Sequence, residues 1–422
     1  MTSPQWPGLS PEVTSRMIVV GDLNVHILEC LPLTNHRQTD TDNPTQRSKP
    51  PLIVLLHGFP ELAYSWRKIF VPLAKAGYHV IAPDQRGYGL TTPLASLTNS
   101  RVAYEDDLRP YHILNLAADV VHLIYALGYE EAHAVVGHDF GSNVAGWCAL
   151  VRPDVVKRLV LMSAPFGGPP KPQDARSVKK KEDSRVYLVD AQLRKLEEPR
   201  KHYTVYYSTP QANNDMCHPS EGLKAFLRAY YHVKSAEWEG NWKPAPGPLS
   251  VKLNSGSQPS KEDVAEAVAR AMEILPHYYI MPANLSMPAA VRPHLPTPGQ
   301  KSVCTWLTDE ELDVYTSIYS RTGFQGGLNR YRTMTDETWN SEAGVRAMCG
   351  KKVEVSTWFI SGQMDWGVWQ SPGAIEALRS QNGVVKGGMQ EEFLLVEGAG
   401  HWVQQEKPEE VVRYLVAVFS RD

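Results

Sequence analysis

Cysteine is scarce in this 422-residue chain and shows no paired spacing: Cys30, Cys148, Cys217, Cys304 and Cys349 are scattered and odd in number. That excludes a disulfide framework and fits a reducing compartment. Long apolar runs are also missing. No stretch approaches the roughly 20 apolar residues that cross a bilayer, and the first thirty residues lack the charged start, apolar centre and small-residue cleavage site of a secretion signal. A soluble, cytoplasmic protein without a membrane span is the expectation. Neither sign of charge prevails, since 43 basic residues stand against 46 acidic ones for a net charge of −3, which gives no electrostatic footing for nucleic acid. His, Cys and acidic residues are nowhere spaced as metal ligands, so neither metal nor cofactor is expected. No internal repeat is visible.

What is present is a chain with 42% hydrophobic residues, enough for a large core. It is organised around Val135-Val136-Gly137-His138-Asp139-Phe140-Gly141-Ser142-Asn143, which reads as a buried strand that stops, turns sharply and becomes a helix. Glycines two before and two after Asp139 let the backbone bend tightly and let the helix sit against its strand, the geometry of a G-x-S-x-G nucleophile elbow. Here aspartate takes the place of serine. A carboxylate is already anionic and suits displacement at saturated carbon, whereas serine needs a base and attacks a carbonyl. The following helix holds such an anion at its positive end. An aspartate that merely caps the helix is the blander alternative, and the matches below outweigh it.

Apolar runs elsewhere outline a sheet. Residues 17–20 and 24–28 flank a Gly21-Asp22 turn and read as a hairpin, while 32–50 are polar and read as a loop. Runs at 52–56, 78–83, 132–136 and 158–162 read as buried strands, alternating with helical spacing over 64–76, 113–127 and 143–150. After Pro165 the alternation stops and proline, tyrosine and tryptophan become frequent. This divides the chain into a first part of the sheet domain at 1–166, a mainly helical cap at 167–345 and a second part of the sheet domain at 346–422. Within the cap, 242–260 and 281–300 are rich in Pro, Ser and Gly and are expected to loop over the surface; Lys179-Lys180-Lys181-Glu182-Asp183 reads as a solvated helix face. Strands resume at 353–360 and 392–396, and an amphipathic helix over 408–419 closes the chain. In such sheets the site lies at the carboxyl ends of the strands, where His57, Asp84 and Asp139 fall, and the two later strands lead into the segments that carry Asp365 and His401.

Four motifs carry a resemblance: H-G-F-P-E at 57–61, D-x-R-G-x-G at 84–89, G-H-D-F-G at 137–141 and G-A-G-H-W at 398–402. With nucleophile, acid and histidine in that order along the chain, they resemble the epoxide hydrolase branch of the α/β-hydrolase family from about residue 15 to 420. The resemblance implies an α/β-hydrolase fold, with a mostly parallel central sheet flanked by helices and an inserted, mainly helical cap. It implies a triad of Asp139, Asp365 and His401, an oxyanion hole from the backbone N–H groups of Phe59 and Phe140, and two ring-opening tyrosines in the cap. One is assigned to Tyr315, upstream of Arg321-Thr322-Gly323-Phe324-Gln325-Gly326-Gly327-Leu328-Asn329; the other is Tyr203, with Tyr206 and Tyr207 as close competitors. Phe140 stands where this branch often has tryptophan, and 243–300 is longer than a minimal cap requires. Pro60 is a candidate for a cis peptide bond. Asp336, the nearest rival to Asp365, follows a cap helix and not a strand. His57 and His138 read as hydrogen-bonding scaffold.

The chemistry of these residues agrees with the resemblance. Opening a strained three-membered ether needs a nucleophile behind the carbon and a proton donor at the oxygen, which a tyrosine protonated at neutral pH provides. Attack by Asp139 leaves an ester, and water activated by His401, itself oriented by Asp365, hydrolyses it through a tetrahedral centre. The expected partners are a small apolar epoxide and water; a homo-oligomer is left open. Two other readings compete. A haloalkane or haloacid dehalogenase would use the same aspartate but needs N–H donors around the halide; a hydrolase-like binding protein without catalysis is disfavoured because the whole triad is present. Tyr230, Tyr231, Tyr278 and Tyr279 suit either an apolar pocket or packing of the cap onto the sheet domain.

Overall fold

Leu52–Leu56, His79–Pro83 and Ala134–His138 are buried at every position, as strands must be when helices cover both faces of a sheet, and a continuous apolar run supplies that without alternation. The strands in chain order are β1 Thr14–Val20, β2 Leu23–Cys30, β3 Leu52–Leu56, β4 His79–Pro83, β5 Thr92–Pro93, β6 Ala134–His138, β7 Arg158–Met162, β8 Arg200–His202, β9 Ile280–Pro282, β10 Ser356–Gly362 and β11 Phe393–Val396. Among the described residues they form a nine-stranded sheet, β1-β2-β4-β3-β6-β7-β10-β11 with β5 beside β2, and a separate β8-β9 pair. Pairing is antiparallel from β1 to β2 and from β2 to β4, then parallel at every step to β11. The expected mostly parallel sheet flanked by helices is therefore what this computed structural model shows. It describes residues 6–33, 49–95, 101–172, 180–181, 184–253, 259–389 and 393–421.

The two faces of the sheet feed separate cores. Ile53 and Leu55 enter one, Leu52, Val54 and Leu56 the other, as the two-residue period of a strand requires. The second core is closed by the helices Ile113–Ala126 and Phe140–Val151, whereas the first runs on into the side chains of the segment between β7 and β10. That segment is largely helical, with Arg185–Leu193, Tyr203–Tyr207, Leu223–Lys234, Lys261–Met272, Asp309–Thr322 and Gln325–Thr335 among its helices. Capping boxes at Ser260/Asp263 and Thr308/Glu311 set the starts of two of them by satisfying orphan N–H groups.

Three local expectations change. Residues 281–300 are not a surface loop: they hold the end of β9 and the helices Met287–Val291 and Pro298–Val303, with Met287, Ala290 and Val291 buried. Proline at the first turn of each helix explains the mistake, because the residue that punctuates a loop also opens a helix where no N–H is needed. The helical run at 64–76 is split into the 3-10 turn Ala63–Trp66 and the short helix Phe70–Lys75, whose first turn accommodates Pro72. At β10 the strand starts at Ser356, and Val353 forms an isolated bridge with Val385 instead. Residues 34–48, 254–258, Lys179, Glu182 and Asp183 lie outside the described residues. Among those described, no helix is long and apolar enough to cross a membrane.

Candidate active site

Between the last residue of β6 and the first of the helix Phe140–Val151 stands Asp139 alone. It makes the turn at φ 51° and ψ −116°, a backbone that residues with side chains seldom adopt. Surrounding glycines make this bend feasible. A Cβ on Gly137 would meet the backbone of Gly141 and Ser142, one on Gly141 would meet the Leu56 and His57 carbonyls, and one on Gly58 would strike the Asp139 side chain. The result is a carboxylate presented at the carboxyl end of the central strands. Phe59 N donates to its Oδ2 at 3.0 Å, and the Phe140 N–H belongs to the first turn of the helix, where N–H groups have no intrahelical partner. The Phe59–Pro60 peptide is cis.

His401 faces Asp139, with Nε2 3.7 Å from Oδ1, beyond direct hydrogen-bond range. Its Nδ1 lies 3.1 Å from both oxygens of Asp365. Asp365 is buried beyond the end of β10, where Gly367 N donates to Oδ1 at 2.7 Å and Ser361 Oγ to Oδ2 at 3.0 Å. Burial alone would push its carboxyl up, but the charge and hydrogen bond of His401 and the Gly367 amide hold it below its ordinary value. An anion there orients the imidazole with Nδ1–H toward Asp365. Nε2, buried and without a hydrogen-bond partner among the described residues, is left to act on a molecule set beside Asp139. Asp336, by contrast, caps the helix Glu337–Asn340 through the N–H of Thr338.

A second layer fastens the loops that carry these groups. His138 Nε2 donates to His401 O at 2.7 Å, and Nδ1 lies 2.5 Å from Glu61 Oε2, which also accepts from Gly58 N at 3.0 Å. Burial opposes both charges, yet the pairing prevails: the Glu61 carboxyl is held at about 2 and the His138 imidazole is pushed up to about 8. His57 is different. Burial holds its pKa below the ordinary value, and Nε2 accepts from Gln85 N at 3.1 Å while Nδ1 meets Gly58 O at 2.8 Å.

The cap tyrosines part company. Tyr203, following β8, lines a cavity of about 350 Å³ together with Asp139 and hydrogen-bonds with Gln370; burial and then the nearby Asp139 charge raise its pKa well above the ordinary value. Its competitors are turned elsewhere, Tyr206 donating to Asp215 at 2.8 Å and Tyr207 to Tyr230 Oη at 3.2 Å. Tyr315 does not reach the site. Its hydroxyl is 2.8 Å from Ser65 Oγ and 3.4 Å from Gln405 Oε1, its ring packs on Tyr64 and Tyr231, and the charges around it are Arg67, Glu61 and Glu311.

Tyr331, which the sequence reading passed over, stands where Tyr315 was expected. Its ring centroid is 4.4 Å from that of Phe140, 5.5 Å from Phe59 and 5.9 Å from Tyr203. Burial, Tyr203 and Asp139 raise its pKa well above the ordinary value. A signal for it exists in the Gly326-Gly327 pair. A Cβ on Gly326 would meet the Gly87 backbone and one on Gly327 would come 2.8 Å from Phe59, so the start of the helix Gln325–Thr335 is pressed onto the two loops beside Asp139. Four residues beyond Gly327, on the same helical face, comes Tyr331. The motif pointed to its own helix, and the sequence reading took a tyrosine from the helix before it.

The cavity is walled by apolar side chains from two cap helices, Val186 and Val189 on Arg185–Leu193 and Val268 and Met272 on Lys261–Met272. The long segment at 243–300 thus supplies part of the pocket. Among the described residues, no cluster of three or more His, Cys, Asp and Glu could hold a metal ion.

Comparison with known proteins adds an independent line. A family model described as alpha/beta hydrolase fold matches residues 51–209. Epoxide hydrolase A of Mycobacterium tuberculosis is 30% identical over 370 residues, covering 87% of this chain and 89% of the relative. Epoxide hydrolase 2 of Siraitia grosvenorii is 28% identical, covering 86% and 89%. Among solved structures, an epoxide hydrolase from an endophytic Streptomyces superimposes with a TM-score of 0.64 at 25% identity over 97% of this chain and 95% of that one. Potato epoxide hydrolase I does so with a TM-score of 0.63 at 27% identity over 96% and 98%.

Proposed function

This chain belongs to the epoxide hydrolases of the α/β-hydrolase fold, and on that premise we propose that it opens an epoxide to a vicinal diol in two steps centred on Asp139. In the first, Oδ1 attacks an epoxide carbon from behind while Tyr203 and Tyr331 hydrogen-bond the ring oxygen and one of them passes it a proton as the C–O bond breaks. Their raised pKa values keep both phenols protonated until an alkoxide is there to receive the proton. An ester between Asp139 and the substrate results.

In the second step His401 Nε2 removes a proton from water, whose oxygen adds to the Asp139 carbonyl carbon. The charge that builds on Oδ2 falls on Phe59 N–H, already 3.0 Å away, and on Phe140 N–H. Collapse expels the diol oxygen, which takes the proton from the imidazolium that Asp365 stabilises; the second proton of the water, left on the regenerated Asp139 carboxyl, passes through solvent to the tyrosinate and restores both groups. The cap in this reading spans 167–345 between sheet-domain parts at 1–166 and 346–422, and the apolar side chains that two of its helices turn to the cavity suit an apolar epoxide. Five free cysteines support a cytoplasmic location.

The single observation that carries the proposal is one carboxylate with Phe59 N–H on one oxygen, His401 Nε2 facing the other, and a cavity shared with Tyr203 in front. A single turnover with enzyme in excess in ¹⁸O-water tests it. The first diol should carry unlabelled oxygen, with the label in Asp139; a labelled first diol rules out the ester.

A further inference from the structure

Glu406 lies outside the machinery described so far, yet its three hydrogen bonds all come from main-chain N–H groups around His401. Oε2 accepts from Gly400 N at 3.0 Å and from Ala236 N at 2.8 Å, and Oε1 accepts from Trp402 N at 3.1 Å. Gly400 and Trp402 flank His401 in sequence. Ala236 belongs to the chain that leaves the cap helix Leu223–Lys234. The same two segments are joined twice more, by His401 N donating to Lys234 O at 2.8 Å and by Trp402 Nε1 donating to Tyr231 O at 2.8 Å. Only a glycine lets them meet, since a Cβ on Gly400 would lie 2.5 Å from Lys234 O.

The position calls for a carboxylate. Burial pushes its carboxyl up to about 7 against the pull of these three N–H groups; ionised, it is a pure acceptor that serves all three, whereas an amide of the same shape would turn its NH₂ toward an N–H and leave that donor orphaned. We infer that Glu406 is a positioning residue for the water-activating half of the reaction. It ties the His401 main chain to the cap, so that Nδ1 stays on Asp365 and Nε2 keeps its place before Asp139. None of its hydrogen bonds ends on Asp139, Tyr203 or Tyr331, the groups that open the ring. The inference rests on the two-step reading above.

Rapid-quench single turnovers on Glu406→Gln, followed by intact-protein mass, separate the two steps. Ring opening should stay within about twofold of the unaltered protein, while ester hydrolysis slows ~10-fold or more, the size expected for one orphaned main-chain donor, and the alkyl-enzyme accumulates. Glu406→Asp, which keeps the carboxyl group, should recover part of the hydrolytic rate. Equal slowing of both steps, or unchanged hydrolysis, overturns the inference. Where Glu406→Gln does not fold, Glu406→Asp decides: hydrolysis slowed ~3-fold with ring opening unchanged supports the assignment, and any other pattern overturns it. His401→Gln is the control. If it forms no alkyl-enzyme the two-step reading fails; if it does and Glu406→Gln does not, the positioning role alone fails.

Discussion

On the sheet side of the cavity, the proposed reacting groups sit where the backbone has few alternatives; on the cap side, they sit where it has many. Asp139 turns at φ 51° among glycines whose side-chain space is already occupied, and His401 follows a glycine pressed against the cap backbone. The cap side draws on a chain with 19 tyrosines, and three of them on three helices end apart: Tyr203 and Tyr331 feel Asp139, whereas Tyr315 is bonded to Ser65. A constraint on the backbone leaves a mark in residue type. A constraint on where a ring points leaves almost none.

The sharpest way to break this contrast is Asp139→Ala. Diol formation should fall by ~10⁴ or more while the protein stays folded; residual turnover above about one-hundredth would mean that the sheet side does not carry the nucleophile. Next comes the cap. Tyr331→Phe should slow ring opening ~10- to 100-fold in stopped-flow single turnovers, and Tyr315→Phe less than about twofold. The reverse order would return Tyr315 to the site.

Smaller effects sharpen the comparison. Met272→Ala, on the cavity wall, should raise kcat/KM for epoxides with bulkier apolar arms ~3- to 10-fold relative to small ones, leaving the hydrolytic step unchanged. The scaffold of the sheet side is ionic, and its mark is a stability profile. Glu61, held at about 2 against an ordinary 4.5, contributes fully above pH 4.5 and loses that contribution as pH falls toward 2. His138, raised from 6.5 to about 8, contributes fully below pH 6.5 and loses that contribution as pH rises through 8. Melting curves should therefore plateau between these limits and drop by a few degrees on either side, about what a loss of roughly 2–3 kcal/mol produces in a chain of this length, a pKa unit being worth about 1.4 kcal/mol. Glu61→Gln should flatten both flanks, since it removes the shared partner.

Legibility follows the same division. The central strands were readable because burial on both faces admits only apolar residues, and the placing of Asp139, Asp365 and His401 at the strand ends because each follows a strand into a glycine-marked or turn-forming loop. The tyrosine assignment stopped one helix short of the ring that feels the Asp139 charge. Gly326 and Gly327 marked a close approach to the loops beside Asp139, but an approach names a helix, and four residues of helical phase were needed to reach Tyr331. Residues 281–300 misled for a related reason, as Pro288 and Pro298 mean a loop in one context and a first helical turn in another. Glu406 carries no signal at all in one dimension, because its partners are main-chain groups common to every residue.

The sharp bend at Asp139 has a cost that selection must keep meeting. Glycine would relax that backbone, by the ~1–3 kcal/mol that a sparsely populated conformation stores, so the fold would gain from losing the very residue proposed as the nucleophile. A lineage released from the need to open epoxides would be free to surrender this aspartate early and become sturdier for it.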